Sequence, residues 1–155
     1  MAISTERKRV LVDTDAFVAL RDNKDYNHNT ASVIAAHLKE NQATLFTSSF
    51  SFGEAITVIS QKLGRTDVLA FIDKFPETDV IRIDIGNVLI EKGIDIFKSQ
   101  TSKNVSFTDC VNMAVMKEED IKEIFSFDKI YKKNGFIRLG LDKSLEGEVV
   151  DEDKS

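Results

Sequence analysis

The chain is short of several things, and each shortage closes off a class of protein. It has one cysteine, Cys110, in 155 residues, so no internal disulfide can form. Its two histidines, His28 and His37, lie far from Cys110 and lack the spacing of a zinc site. There is one proline, Pro76, and no linker, repeat or low-complexity tract before the final residues. No apolar run approaches the roughly 20 residues needed to cross a bilayer. Met1 to Arg9 is polar and basic, and no apolar core long enough for a signal peptide follows it. A reducing, cytoplasmic setting is therefore the expectation, with no membrane association. A general basic stripe is also lacking: 21 lysines and arginines are outnumbered by 26 acids, for a net charge of −5, so any contact with nucleic acid has to be local.

What is present fits one globular domain. Hydrophobic residues make up 42% and charged residues 30%, the balance of a chain that buries a core. A chain of this length does so without staples. The negative charge is uneven. Residues 142–155 hold six acids and two bases, and apolar residues thin out there. The expectation is a domain over 1–141 and an acidic, disordered tail over 142–155.

Short strands alternate with helices along the chain. Lys8 to Asp13 reads as a strand and Thr14 to Leu20 as a helix. Asn29 or Thr30 is placed to cap a helix reaching about Asn41. Ala43 to Thr47 reads as a second strand, followed by a helix opened by Ser48 or Ser49 and stopped by Gly64. Thr66 or Asp67 caps the next helix, which ends before Pro76. Asp79 to Asp84 alternates as a third strand. A long helix then runs from about Ile85 to Gln100, with Gly93 a weak point in it. Ser106-Phe-Thr-Asp109 opens another helix in a near capping-box arrangement. Glu123 to Phe127 and Phe136 to Leu139 are the fourth and fifth strands. This order predicts βαβ units and a three-layer α/β/α fold around a parallel sheet of about five short strands.

Within that pattern four acids are singled out by position. Asp13 ends the apolar run Val10-Leu11-Val12, and a carboxylate there is costly unless something cationic meets it. Glu54 lies near the start of a helix, off its Phe52–Ile56–Ile59 face. Asp109 lies in the first turn of its helix, and Asp128 follows the apolar strand Ile124-Phe125-Ser126-Phe127. In a parallel sheet, strand ends and the helix starts that follow them share one edge. The four can therefore converge. Clustered carboxylates repel unless protonated or bridged by a cation, and an all-oxygen set suits Mg²⁺ or Mn²⁺. Such a cation activates water and stabilises a phosphoryl group, which points to phosphodiester hydrolysis. Each acid also has a plainer reading. Asp109 suits the helix dipole, Asp128 suits a turn, and Glu54 suits a solvated face. Asp15 is better read as a helix cap than as a ligand.

These residues resemble the PIN domains, and in particular the stand-alone VapC-like toxins of toxin–antitoxin systems. Val-Leu-Val-Asp13-Thr-Asp-Ala-Phe is similar to the family's opening strand and its DT-x motif. Phe-Gly-Glu54 falls at the family's helix glutamate. Ser106-Phe-Thr-Asp109-Cys is similar to S-x-x-D-A, with cysteine for alanine. Ser126-Phe-Asp128 is similar to T-x-D, with serine for threonine. The resemblance implies a Mg²⁺- or Mn²⁺-dependent endoribonuclease in which Asp13, Glu54, Asp109 and Asp128 hold the metal. Asp15 and Ser126 would then support them. It also implies an RNA substrate, an antitoxin partner and a homodimer. Arg21, Lys24, Lys62, Arg65, Lys129, Lys132 and Lys133 are candidate RNA contacts, though for any one of them solvated surface charge is the simpler reading. Two alternatives stay open: a housekeeping RNA-processing nuclease of the same fold, and a non-catalytic RNA- or protein-binding domain that retains the acids. A receiver-like domain fits less well, since no lysine convincingly ends an apolar strand.

Overall fold

The apolar run before Asp13 forms the middle of the molecule. In the computed structural model, which describes residues 7–147, Arg9–Val12 is strand β1. Helix α1 (Thr14–Arg21) follows at once, then α2 (His28–Glu40). Strand β2 (Thr44–Ser48) leads into α3 (Ser49–Leu63) and α4 (Arg65–Lys74). A 3-10 turn at Phe75–Glu77 takes Pro76 and ends that pair of helices. Strand β3 (Ile81–Ile83), α5 (Asn87–Ser99), α6 (Phe107–Glu118), β4 (Glu123–Phe125), α7 (Lys129–Lys133) and β5 (Ile137–Arg138) complete the order.

All strand pairs are parallel, in the spatial order β3-β2-β1-β4-β5. Leu11 registers with Phe46 on one side and Ile124 on the other, so β1 has neighbours on both edges. A parallel sheet must be covered on both faces, and alternation along β1 supplies each face. Val10 and Val12 join Ala16, Phe17, Ile34, Ile59 and Phe71 from α1–α4. Leu11 points the other way, to Met113, Met116, Ile124 and Tyr131 of α6, β4 and α7. Full burial of each such side chain contributes about 1.5–3 kcal/mol. The expected three-layer fold with five short parallel strands is what the chain adopts.

Local differences have physical causes. Helix α2 begins at His28 rather than after Asn29, because the His28 ring is anchored at Nδ1 to the Ala19 carbonyl, 2.7 Å away. Helix α4 starts directly at Gly64, whose φ of 88° turns the chain between two helices; Asp67 falls in the first turn instead of capping it. Gly93 is a packing requirement, since a Cβ there would lie 2.9 Å from Val111 Cγ2 on α6. Strand β4 stops at Phe125 because the next amides find other acceptors: Phe127 N–H donates to Asp15 Oδ2 (2.9 Å) and Asp128 N–H to Ser126 Oγ (3.2 Å).

Residues just past the boundary expected at 141 contact the domain. Asp142 is buried and accepts three bonds from Arg138: from the backbone N–H (2.9 Å), from Nε (2.9 Å) and from Nη2 (2.8 Å). Lys143 reaches Glu123 (3.0 Å), and Leu145 packs on the core around β1. Ion pairs of Asp142 with Arg138 and of Lys143 with Glu123 tie this stretch to β5 and β4. The expectation of disorder over 148–155 lies outside the described residues.

Candidate active site

Four helices begin at the carboxyl edge of the sheet, and each start is capped by a polar side chain. Asp13 caps α1 by accepting from Thr14 N–H (2.8 Å), and Ser48 caps α3 by accepting from Ser51 N–H (3.0 Å). Ser106 and Asp109 form a complete capping box at α6: Ser106 Oγ accepts from Asp109 N–H, and Asp109 Oδ2 accepts from Ser106 N–H, both at 3.0 Å. Asp128 caps α7 through Ile130 N–H (2.9 Å). Capping requires these side chains to sit where the helices start, and the topology brings the starts together. Four positive helix ends therefore face one region.

That region is a cleft of about 340 Å³. Asp13, Asp15, Glu54, Asp109 and Asp128 all line it, so the structure brings the four singled-out acids into one place and adds Asp15. Their settings differ. Asp13 and Asp109 are nearly closed off, at 5% and 7% exposure, whereas Glu54 is exposed. Asp13 takes its bonds from neutral donors. Thr14 N–H, Asn112 Nδ2 (3.2 Å) and Ser51 Oγ (3.3 Å) reach Oδ1, and Ser126 Oγ (2.9 Å) reaches Oδ2. Glu54 is held only loosely, by Thr14 Oγ1 at 3.3 Å. Asp15 leans across to the β4–α7 corner, where Phe127 N–H and Ser126 Oγ (3.3 Å) meet its Oδ2. Its Oδ1 is buried with no partner.

Burial is the main force on these carboxyls. It pushes Asp13 up, against the donors of Ser126 and Thr14. Burial and then the charge of Asp13 push Asp15 up to about 8. Burial raises Asp109 to about 6, partly offset by the Ser106 amide. Each shift reports a negative charge that the fold leaves short of solvent or a counter-charge. Among the described residues, no three carboxylates, histidines or cysteines close into a preformed metal group. The reason is visible in the bonds above: Asp109 is turned into its capping box, Asp128 into its own cap, and Glu54 toward Thr14. The donor set still fits a hard cation. It is all oxygen, its strongest internal donors are neutral, and it contains an orphaned carboxylate oxygen.

The basic candidates are scattered. Lys62, in the last turn of α3, lines the cleft. Arg21 lies outside the cleft wall and faces Asp67 at 3.8 Å. Lys24, Arg65, Lys129 and Lys133 are exposed, and Lys132 approaches Asp142 at 3.9 Å. The sequence reading missed the polar layer under the acids: Ser48, Ser51, Asn112 and Tyr131, all buried. One signal for it was available. Asn112 interrupts an apolar stretch, Cys110 to Met116, three residues after Asp109 and so on the same helical face.

Comparison with known proteins agrees with this arrangement. The family model for the PIN domain matches residues 10–137. The 23S rRNA-specific endonuclease VapC20 of Mycobacterium tuberculosis is 25% identical over 131 residues, covering 84% of this chain and 97% of that protein. The crystal structure of M. tuberculosis VapC20, described as a Sarcin-Ricin loop cleaving toxin, superposes with a TM-score of 0.75 at 24% identity, covering 83% of this chain and 96% of that one. A second structure with the same fold is VapBC2 of Rickettsia felis, bound to a DNA fragment from its promoter, with a TM-score of 0.57, 14% identity, and coverage of 83% and 96%. Matched from β1 into β5, and so across the whole sheet and every acid of the cleft, the chain belongs to the PIN-domain family of metal-dependent nucleases.

Proposed function

We propose that this chain is a Mg²⁺- or Mn²⁺-dependent endoribonuclease and the toxin of a toxin–antitoxin pair. The observation that carries this reading is the sharing of one cleft by Asp13 and Asp15 at the start of α1, Glu54 of α3, Asp109 of α6 and Asp128 at the start of α7, with Asp15 Oδ1 left without a partner. Asp13, Glu54, Asp109 and Asp128 are the residues that would hold the metal. When bound, such an ion supplies an activated water and neutralises charge developing on a phosphoryl group. Asp13 is fixed in place by its four donors. Glu54 and Asp128, at the open side of the cleft, can turn toward the cation and the phosphate. Asp15 supports the site by tying α1 to the corner that carries Ser126 and Asp128, and Ser126 supports it by bonding Asp13.

The substrate is RNA. The likeness to VapC20 makes ribosomal RNA of the 23S class the first to test. Lys62 is placed to meet a phosphate at the cleft, with Arg65, Lys129 and, farther out, Arg21 as outer contacts that add affinity without sequence discrimination. An antitoxin that presents a basic side chain to the acids is the expected inhibitor, and a homodimer the expected assembly. Among the described residues no helix is long and apolar enough to cross a membrane, and we place the protein in the cytoplasm.

The test is cleavage of a 23S rRNA fragment and of an unstructured RNA, with Mg²⁺, Mn²⁺ or EDTA, beside Asp13→Asn. Metal-dependent cleavage that Asp13→Asn loses supports the reading. Cleavage that survives EDTA or Asp13→Asn refutes it. Growth arrest on expression, relieved by a co-expressed small partner, separates a toxin from an RNA-processing enzyme.

A further inference from the structure

The polar layer beneath the cleft has a direction. Ser51 N–H donates to Ser48 Oγ (3.0 Å), and the Ser48 hydroxyl donates to Asn112 Oδ1 (2.6 Å). That fixes which way the Asn112 amide faces. Its Nδ2 then points at Asp13 Oδ1 (3.2 Å), Ser51 Oγ (2.9 Å) and the Tyr131 hydroxyl (3.1 Å). Tyr131 in turn donates to Asp109 Oδ1 (3.3 Å). A chain of donors thus starts at the α3 amide and ends on two carboxylates of the cleft. Asn112 and Tyr131 are fully buried, and a buried amide or hydroxyl is costly unless bonded. Apolar side chains of similar size would fill the same space without that cost.

We infer that Asn112 and Tyr131 are positioning residues that hold Asp13 and Asp109 in register for a divalent cation. The inference rests on the reading of those two acids as cation ligands. Neutral donors suit the task. They fix carboxylate geometry while leaving the negative charge for the cation, whereas a lysine or arginine in the same place would cancel it. Tyr131 also sits on α7, three residues beyond the Asp128 cap, so one side chain links the helix that carries Asp128 to Asp109 and Asn112. Outer partners of metal-holding carboxylates typically alter metal affinity by about 10- to 100-fold when removed.

The chain provides its own probe. It has no tryptophan and two tyrosines, Tyr26 and Tyr131, and Tyr26 is fully exposed. In a Tyr26→Phe variant, tyrosine emission comes from Tyr131 alone, and a phenol bonded to a carboxylate is quenched. Titration of that variant with Mg²⁺ should give a saturable change in emission that is absent in Tyr26→Phe/Asp13→Asn. Separately, Tyr131→Phe keeps the ring in the core and removes one hydroxyl. By calorimetry it should bind Mn²⁺ about tenfold more weakly than wild type. Its RNA cleavage should fall at limiting Mn²⁺ and recover at high Mn²⁺, a rescue that a merely structural role would not give. Asn112→Ser should fall in the same direction. If wild type binds Mn²⁺ while Tyr131→Phe binds it equally well, or while Tyr131 emission ignores Mg²⁺, the inference is overturned and the reading of the cleft stands. If wild type binds no Mn²⁺, that reading fails and takes the inference with it.

Discussion

Asp13 and Asp142 are both buried carboxylates, at 5% and 8% exposure, and the fold treats them in opposite ways. Asp142 is given a guanidinium. Burial alone would raise its carboxyl, but the bonds and charge of Arg138 hold it below the ordinary range. Asp13 is given only amides and hydroxyls, and burial leaves it raised. The first arrangement fastens the residues after β5 to the sheet. The second gathers carboxyls that no cation of the chain compensates at the sheet's edge, where Asp15 and Asp109 join Asp13. One acid is neutralised from within the chain, and the others are not.

The largest expected break in this contrast is Asp13→Asn. It removes the central charge but keeps the side chain's shape and an acceptor for the Thr14 N–H cap, so RNA cleavage should drop to background while circular dichroism shows a native fold. Next comes Asp142→Asn, which takes the carboxylate charge away from the buried Arg138 guanidinium. Urea denaturation should show a loss of about 3 kcal/mol, with metal-dependent cleavage retained in the remaining folded protein. The pH dependence has a definite sign. A lowered carboxyl contributes stability above its unfolded value near 3.8 and loses it as pH falls through the folded value. Asp142→Asn should therefore flatten the acid end of the stability curve.

Smaller effects sharpen the other side. Ser126→Ala deletes the donor to Asp13 Oδ2 and the acceptor for Asp128 N–H. Cleavage at limiting metal should fall about tenfold, with Ser126→Thr close to wild type. The smallest effect is on stability and runs opposite to intuition. Asp15 is raised to about 8, so its folded carboxyl holds a proton that the unfolded chain releases near 3.8. Its contribution to stability therefore declines as pH rises from about 4 to 8. Thermal melts in EDTA should show Asp15→Asn more stable than wild type by about 3 °C at pH 8. The difference should shrink toward pH 5 and narrow when Mg²⁺ supplies the missing counter-charge.

These contrasts also mark what the sequence could convey. Asp13 was legible because an apolar strand runs straight into it. Ser106 and Asp109 were legible because a capping box is written in four consecutive residues. Both are local patterns. The role of Asp142 was not legible because its partner is visible only once β5 is placed: in composition it is one more acid in an acidic stretch. Tyr131 was invisible for a related reason. Its ring has the position of any core aromatic, and only tertiary contact shows where its hydroxyl goes. Asn112 lies between, since a lone amide among Cys110, Val111, Met113 and Ala114 asks for a partner without naming it.

The position of β1 carries a consequence for how the molecule comes into being. Its two neighbours in the sheet lie far apart in sequence: Leu11 pairs with Phe46 on one side and with Ile124 on the other. The acid at its end is assembled with groups reaching from residue 13 to residue 131. A chain emerging from the ribosome thus carries Asp13 well before β4 and α7, and has nowhere to put it until they have been made. Among the fragments passed through during synthesis, none that stops short of Tyr131 can hold the full constellation. Under the proposed function, harmlessness during manufacture is written into the strand order.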